Sequence, residues 1–245
     1  MRLAELLAGI VPVPAGPLGE IGIGGISVDS RSVRAGDLFV AVPGARSDGH
    51  AYLAEAARAG AAAALVEREL PSPPLPVVRV PSTAAALPWV AVAFHGDPSA
   101  KLRVTGVTGT NGKTTVTYLI EGILAAAGRV PAVIGTIDYR VAGTVLRKGL
   151  TTPFPHELQA VTAEAVALGA TDLLMEVSSH SAAQGRIEGV RFDVGIFTNL
   201  TRDHLDFHCD MESYFSAKAR LFREYLPAGG KRTGIALNGD DPYGE

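Results

Sequence analysis

The stretch Thr108-Gly109-Thr110-Asn111-Gly112-Lys113-Thr114-Thr115 carries the most explicit chemistry of this chain. Gly109 and Gly112 permit backbone conformations that a side chain forbids, so successive N–H groups can turn toward phosphate oxygens at a positive helix N-terminus. Lys113 adds a point charge for the terminal phosphates, and the Thr114 hydroxyl suits a Mg²⁺ that bridges the same oxygens. The match to the common nucleotide loop is imperfect. The glycine expected six residues before the lysine is Val107, with Gly106 one place early, and a glycine-lysine loop is also an ordinary turn into a helix.

Further groups point the same way. Glu176 ends an otherwise apolar run and is followed by Val177-Ser178-Ser179-His180, where a carboxylate is placed either for a hard cation or simply for water. Thr198 to His208 gathers Arg202, Asp203, His204, Asp206 and His208 after another apolar run, although histidines are often structural. Lys218 is unusual. On a helix advancing about 100° per residue it falls in the middle of a stripe made by Met211, Tyr214, Phe215, Leu221, Phe222 and Tyr225. A lysine there is paired, modified or snorkelling; burial favours its neutral amine, which can add CO₂ to become an anionic carbamate. Thr151-Thr152-Pro153 reads as a helix start, with Thr152 as N-cap and Pro153 first in the helix, or as hydroxyls offered to a substrate.

These groups need a scaffold that delivers them together. From Lys101 onward strands and helices alternate: strands at 102–107, 131–135, 172–177, 194–198 and 233–237, and helices near 114–127, 155–168 and 211–226. Continuously apolar strands such as Leu173-Leu174-Met175 belong in a parallel sheet covered on both faces, where ligands sit beyond the carboxyl ends of the strands. The first hundred residues form a smaller α/β pattern, with strands at 26–29, 37–42, 62–66 and 77–80 and alanine-rich helices near 51–59 and 83–94. The prolines between Glu69 and Pro81 read as a surface connection inside that unit, and Gly96-Asp97-Pro98-Ser99 as its end.

Composition narrows the classes. The chain has 245 residues, 47% hydrophobic and 19% charged, which describes a soluble globular protein of one to two domains. A net charge of -3 argues against nonspecific nucleic-acid binding but allows a polyanionic small molecule held by local donors. The single cysteine, Cys209, excludes an internal disulfide and fits a reducing compartment. No apolar run approaches the roughly 18 residues of a membrane span. Residues 1–15 resemble a signal peptide only superficially, because Glu5, Pro12 and Pro14 interrupt them, so the chain reads as cytoplasmic. Its abrupt stop after the 233–237 strand reads as a fragment of a longer protein.

Taken in order, Asp29-Ser30-Arg31, Gly36 to Val42, Asp48-Gly49-His50, the 108–115 loop, Thr151-Thr152-Pro153, Met175 to His180, and Thr198 to Phe207 with Lys218 resemble the Mur ligases. These are the ATP-dependent amide-forming enzymes of peptidoglycan synthesis. The likeness is strongest to the branch that adds a third amino acid to UDP-N-acetylmuramoyl-L-alanyl-D-glutamate. It implies a small N-terminal α/β UDP-substrate domain over 1–98. A central ATP-binding domain of P-loop type follows over 99–245, incomplete, its parallel sheet carrying helices on both faces. The C-terminal amino-acid-binding domain would be absent.

Carried over by position, Ser30 and Ala45-Arg46-Ser47 would contact the UDP-sugar. Thr151, Thr152, Ser178, Gln184 and Arg186 would hold the muramoyl dipeptide. Gly109, Thr110, Asn111, Gly112, Lys113, Thr114 and Thr115 would bind ATP. Thr114 and Glu176 would take one Mg²⁺, and His204 with carbamylated Lys218 a second. Lys113, Glu176, His204 and Lys218 would then be the catalytic set of a monomer that uses ATP, UDP-MurNAc-dipeptide and a diamino acid, with no nucleic acid or membrane partner. Leu150 departs from the polar residue that members often carry before the paired threonines. The D-alanyl-D-alanine-adding Mur ligase shares the Asp-Ser-Arg and Gly-Asp-Leu-Phe-Val elements, but the paired threonines, Ser-Ser-His and Arg-Asp-His-Leu-Asp favour the third-residue branch. Folylpolyglutamate synthase has a similar loop but not the first hundred residues. A nucleotide-dependent binding module without ligation is the alternative from another class.

Overall fold

A computed structural model describes residues 1–12, 16–44 and 47–244. The chain divides into two compact units, Met1–Gly96 and Asp97–Glu245.

In the first unit, α1 (Leu3–Leu7) precedes β1 (Gly25–Ser27), β2 (Asp37–Val40), α2 (Leu53–Arg58), β3 (Ala63–Val66), β4 (Val77–Arg79) and α3 (Thr83–His95). The four strands pair in parallel in the order β1-β2-β3-β4. Their alternation builds two cores. Leu38, Val40, Ala63 and Leu65 pack with α1 and α3, whereas Phe39, Ala41, Ala64 and Val66 pack with Leu53 and Ala56 of α2. The segment 1–15, singled out above for its superficial likeness to a signal peptide, thus supplies Leu3, Leu6 and Leu7 to the core through α1. The 51–59 helix is shorter than expected, because a 3₁₀ turn, Gly49–Tyr52, leads into α2.

The second unit runs through β5 (Arg103–Thr108), α4 (Lys113–Ala126), β6 (Pro131–Ile134), β7 (Tyr139–Val141), β8 (Thr144–Arg147), α5 (Pro155–Ala167), β9 (Asp172–Glu176), α6 (Ser179–Ala183), β10 (Val194–Phe197), α7 (Leu205–His208), α8 (Met211–Arg220), α9 (Leu226–Ala228) and β11 (Gly234–Leu237). The sheet order is β11-β10-β5-β9-β6-β7-β8. It is parallel as far as β6 and then turns antiparallel through β7 and β8. That hairpin was not expected from the sequence. Its turn, Ala142-Gly143, has φ of 47° and 78°, the two-residue geometry that twists with its strands, with alanine where the usual signal is Asn, Asp or Gly.

Two other expectations change. The helix over 211–226 is present but not α-helical throughout: α8 passes into a π-helical turn, Leu221–Tyr225, before α9. The turn accompanies packing onto bare strand backbone, since a Cβ on Gly106 would lie 2.8 Å from Phe192 Cε1 and 3.2 Å from Leu221 Cδ1. Gly106, one place early for a phosphate loop, is therefore a packing glycine of β5. The helix after the paired threonines starts at Pro155, as its 155–168 placement expects, but its N-cap is Phe154 and not Thr152, and its first proline is Pro155 and not Pro153. Among the described residues, no helix is long and apolar enough to cross a membrane.

Candidate active site

β5 and β9 are neighbours, with Val107 in register with Glu176, so the glycine loop after β5 and the polar run after β9 emerge side by side. β10 flanks β5 on its other side and delivers Thr198 to Thr201. The sheet therefore converges the three runs singled out by sequence at adjacent carboxyl ends.

The loop is braced by the β10 side. Asn199 O accepts from Thr110 N–H at 2.8 Å, Asn199 Oδ1 accepts from Asn111 N–H at 3.0 Å, and Thr198 Oγ1 donates to Asn111 O at 2.7 Å. Gly109 has φ of 145° and sits so close that a Cβ would overlap Thr198 Oγ1, which leaves glycine as the residue that fits. With the N–H groups of Thr110 and Asn111 occupied by Asn199, the donors left for a phosphate are those of the first turn of α4, which a helix cannot satisfy itself. Gly112, at φ of 86°, starts that helix, and Lys113, Thr114 and Thr115 follow.

The lysines meet at the loop. Lys113 Nζ donates to Gly109 O at 2.9 Å and Thr110 O at 2.8 Å, and Lys218 Nζ donates to the same Gly109 O at 2.7 Å. Lys218 is 2% exposed, so snorkelling does not describe it. Burial, with the charge of Lys113 added and Asp203 opposing, pulls its pKa down to about 7. Burial also lowers that of Lys113, against the attraction of Glu176 and Asp203.

Glu176, 1% exposed, is held on all sides. Its Oε1 accepts from Thr114 Oγ1 at 2.9 Å and from Thr136 N–H at 3.0 Å, and its Oε2 accepts from Thr136 Oγ1 at 3.0 Å. Thr136 Oγ1 also lies 3.0 Å from Thr151 Oγ1. The Thr114–Glu176 pair gives two hard oxygen donors beside the loop, a donor set that fits Mg²⁺, which takes most of its remaining ligands from water and phosphate. Among the described residues, no three His, Cys, Asp or Glu gather as a metal cage.

Thr152 is 1% exposed and faces inward: its hydroxyl donates to Glu176 O at 2.7 Å and accepts from Ser178 N–H at 3.1 Å. It joins the loop to the strand end rather than presenting a free hydroxyl. Ser178 Oγ caps α6 by accepting from Ser181 N–H at 3.1 Å. Gln184 Oε1 accepts from Arg186 Nε at 2.9 Å and Nη2 at 2.6 Å, while Arg186 Nη1 reaches Thr152 O at 3.3 Å and its guanidinium lies 4.4 Å over the Phe154 ring. Thr151, Thr152, Ser178, Gln184 and Arg186 thus form one patch running back to Glu176.

His204 and Lys218 both lie against Tyr214, His204 with ring centroids 6.2 Å apart and Lys218 Nζ 4.5 Å from the ring centroid. His204 has φ of 53°, and its Nε2 is 3.5 Å from Asp203 Oδ2. His180 meets His204 edge-on at 4.9 Å and stacks on Phe207 at 4.2 Å. In the first unit, Ser30 and Ser47 line a cleft of about 510 Å³ with Asp29, Arg31, Phe39 and Tyr52. Ala45 and Arg46 lie outside the described residues.

Sequence reasoning missed Thr136 and the bracing role of Asn199. Thr136 follows Gly135 at the end of an apolar strand, the same position as the loop after β5, and that signal was available. The hydroxyl of Tyr214, 3.1 Å from Thr110 Oγ1, was hidden by its place in an apolar stripe.

Comparison with known proteins identifies the family. Residues 107–245 match the model for the Mur ligase middle domain. The chain belongs to the Mur ligase family. Residues 22–95 match the family's second model, described as Mur ligase family, catalytic domain. A UDP-N-acetylmuramoyl-L-alanyl-D-glutamate–2,6-diaminopimelate ligase of Geobacter metallireducens is 47% identical over 247 residues, covering 100% of this chain and 48% of that protein. A solved structure of a ligase with the same name superposes with a TM-score of 0.81 at 30% identity, covering 100% of this chain and 48% of the other. A MurF of Acinetobacter baumannii superposes with a TM-score of 0.66 at 20% identity over 99% of this chain and 49% of the other, a likeness of fold alone. The chain spans about half the length of these relatives.

Proposed function

We propose that this Mur ligase chain carries the UDP-substrate and ATP-phosphate sites of a cytoplasmic, monomeric ligase that adds a diamino acid to UDP-N-acetylmuramoyl-L-alanyl-D-glutamate. The relatives named for diaminopimelate support the substrate, and the Thr114–Glu176 pair beside a lysine-lined glycine loop is the observation that carries the chemistry.

In the proposed reaction a free carboxylate oxygen of the dipeptide attacks the γ-phosphorus of ATP, ADP leaves, and an acyl phosphate forms. The amine of the diamino acid then attacks the acyl carbon, inorganic phosphate leaves, and the amine gives up a proton. No side-chain nucleophile is required. Lys113 moves from the loop carbonyls to the transferring phosphoryl group, and first-turn N–H groups of α4 hold the phosphates. Thr151, Ser178, Gln184 and Arg186 orient the dipeptide, with Thr152 acting from beneath them. Thr114 and Glu176 would hold Mg²⁺, which when bound neutralises developing phosphate charge.

A second ion at His204 and Lys218 requires a carbamate, because an ammonium repels a cation. The buried amine with a pKa near 7 supports that reading, since a large share is neutral and able to add CO₂ at physiological pH. Lys218→Ala in the full-length ligase should be inactive and regain part of its turnover with acetate. An unmodified amine in a crystal with metal and ATP would remove the carbamate from the proposal.

A further inference from the structure

The Asp48-Gly49-His50 motif has no part in the chemistry above, yet its polar groups are closely bonded into the first unit. His50 is buried, with its side chain only 2% exposed, and both ring nitrogens are engaged. Nδ1 lies 2.6 Å from Asp48 Oδ1, and Nε2 accepts from the backbone N–H of Glu67 at 2.9 Å, just after β3. An acceptor at Nε2 fixes the tautomer: Nδ1 carries the proton and donates it to Asp48.

Glu67 continues the chain of bonds. Its Oε1 accepts from Thr83 N–H at 2.7 Å and lies 2.8 Å from Thr83 Oγ1, at the start of α3. His50 therefore couples the sheet and the head of α3 to the Asp48 carboxylate.

Asp48 stands in the chain between Ser47 and Gly49, two residues that line the cleft described above. It pairs with Pro43 in an antiparallel bridge, accepts from His50 N–H at 2.9 Å, and is followed by Gly49, whose N–H donates to Val42 O at 3.0 Å. Gly49 presses on this backbone so closely that a Cβ would lie 2.8 Å from Val42 N. Around this anchor stand three lining residues of the cleft: Gly49 itself, Ser47, and Tyr52, whose hydroxyl accepts from Ser47 Oγ at 2.9 Å.

We infer that His50 is a positioning residue for the UDP end of the substrate, holding Asp48 and thereby the Ser47–Tyr52 wall in its binding geometry. This rests on the reading that the first-unit cleft takes the UDP end. His50 touches no ligand itself. It acts through the partly exposed Asp48 carboxylate, by a charge-assisted hydrogen bond from a buried ring.

Two substitutions separate the two nitrogens. His50→Asn keeps a donor where Nδ1 stands and loses the Nε2 acceptor; His50→Gln keeps an acceptor for Glu67 N–H and loses the donor to Asp48. Binding of UDP to the 245-residue protein is measured by titration calorimetry, beside thermal melting of each variant. His50→Asn should bind UDP within about twofold of the parent even if it melts earlier, and His50→Gln should bind about tenfold more weakly, the size of one charge-assisted hydrogen bond. Asp48→Ala alters a partly exposed side chain and should reproduce the His50→Gln loss, which keeps the test alive if a His50 variant does not fold. Equal affinity in His50→Gln and the parent, or equal losses in His50→Asn and His50→Gln, would overturn the positioning role. Absence of UDP binding by the parent protein would instead overturn the reading of the cleft, and the inference with it.

Discussion

Lys113 and Lys218 aim their ammonium groups at one oxygen, the carbonyl of Gly109, at 2.9 and 2.7 Å. Two cations sharing an acceptor in a buried place repel each other, and the repulsion contributes to the depressed pKa of Lys218. An arriving anion relieves that cost. Before Lys218 is carbamylated, a triphosphate would therefore meet a cationic site, with Lys113 turning from the loop carbonyls toward it.

Lys113→Ala should abolish ATP-dependent turnover of the full-length ligase while changing stability little. The substitution removes donors to Gly109 O and Thr110 O but also removes one of the two repelling charges. A melting temperature within about 2–4 °C of the parent, roughly 1 kcal/mol for a chain of this size, is expected by calorimetry. Retained turnover would contradict the phosphate role.

Lys218 makes stability depend on pH. Its folded pKa, about 7, lies below the ordinary 10.5, so between those values the unfolded chain binds more protons than the folded one. Stability from this group therefore rises as pH increases from about 7 toward 10.5 and is flat below and above that window. Lys218→Met should flatten the rise in urea midpoints measured across it. A slope unchanged by the substitution would show that the buried lysine keeps an ordinary pKa.

Gly106→Ala tests the close packing of β5 against the π-helical turn. The added methyl would meet Phe192 at 2.8 Å and Leu221 at 3.2 Å, an overpacking expected to cost about 1–3 kcal/mol. Phe192→Leu in the same chain should return part of that loss, read as the coupling term of a double-mutant cycle. Additive effects would mean that Gly106 does not press on Phe192.

The parts legible in sequence were those with a local cause. The strands other than β7 and β8 announced themselves by short, largely apolar runs, and Lys218 by its angular place among Tyr214, Leu221 and Tyr225. What was not legible depends on which strands become neighbours. Thr136 matters because β6 lies beside β9 and brings it to Glu176, and Asn199 because β10 lies beside β5. The inward turn of the Thr152 hydroxyl has the same origin, since its acceptor, Glu176 O, is 24 positions away in the chain. The β7–β8 hairpin escaped because alanine at Ala142 carries a positive φ that sequence patterns reserve for other residues.

Ligation is tested most directly on the full-length ligase containing this chain, by following ADP release and the mass of the UDP-linked product. The account predicts that ADP appears only when ATP, UDP-N-acetylmuramoyl-L-alanyl-D-glutamate and a diamino acid are all present, that the product gains one diamino acid, and that Glu176→Gln abolishes both signals. ADP release that ignores the UDP-dipeptide, or a product that gains D-alanyl-D-alanine instead, would contradict it.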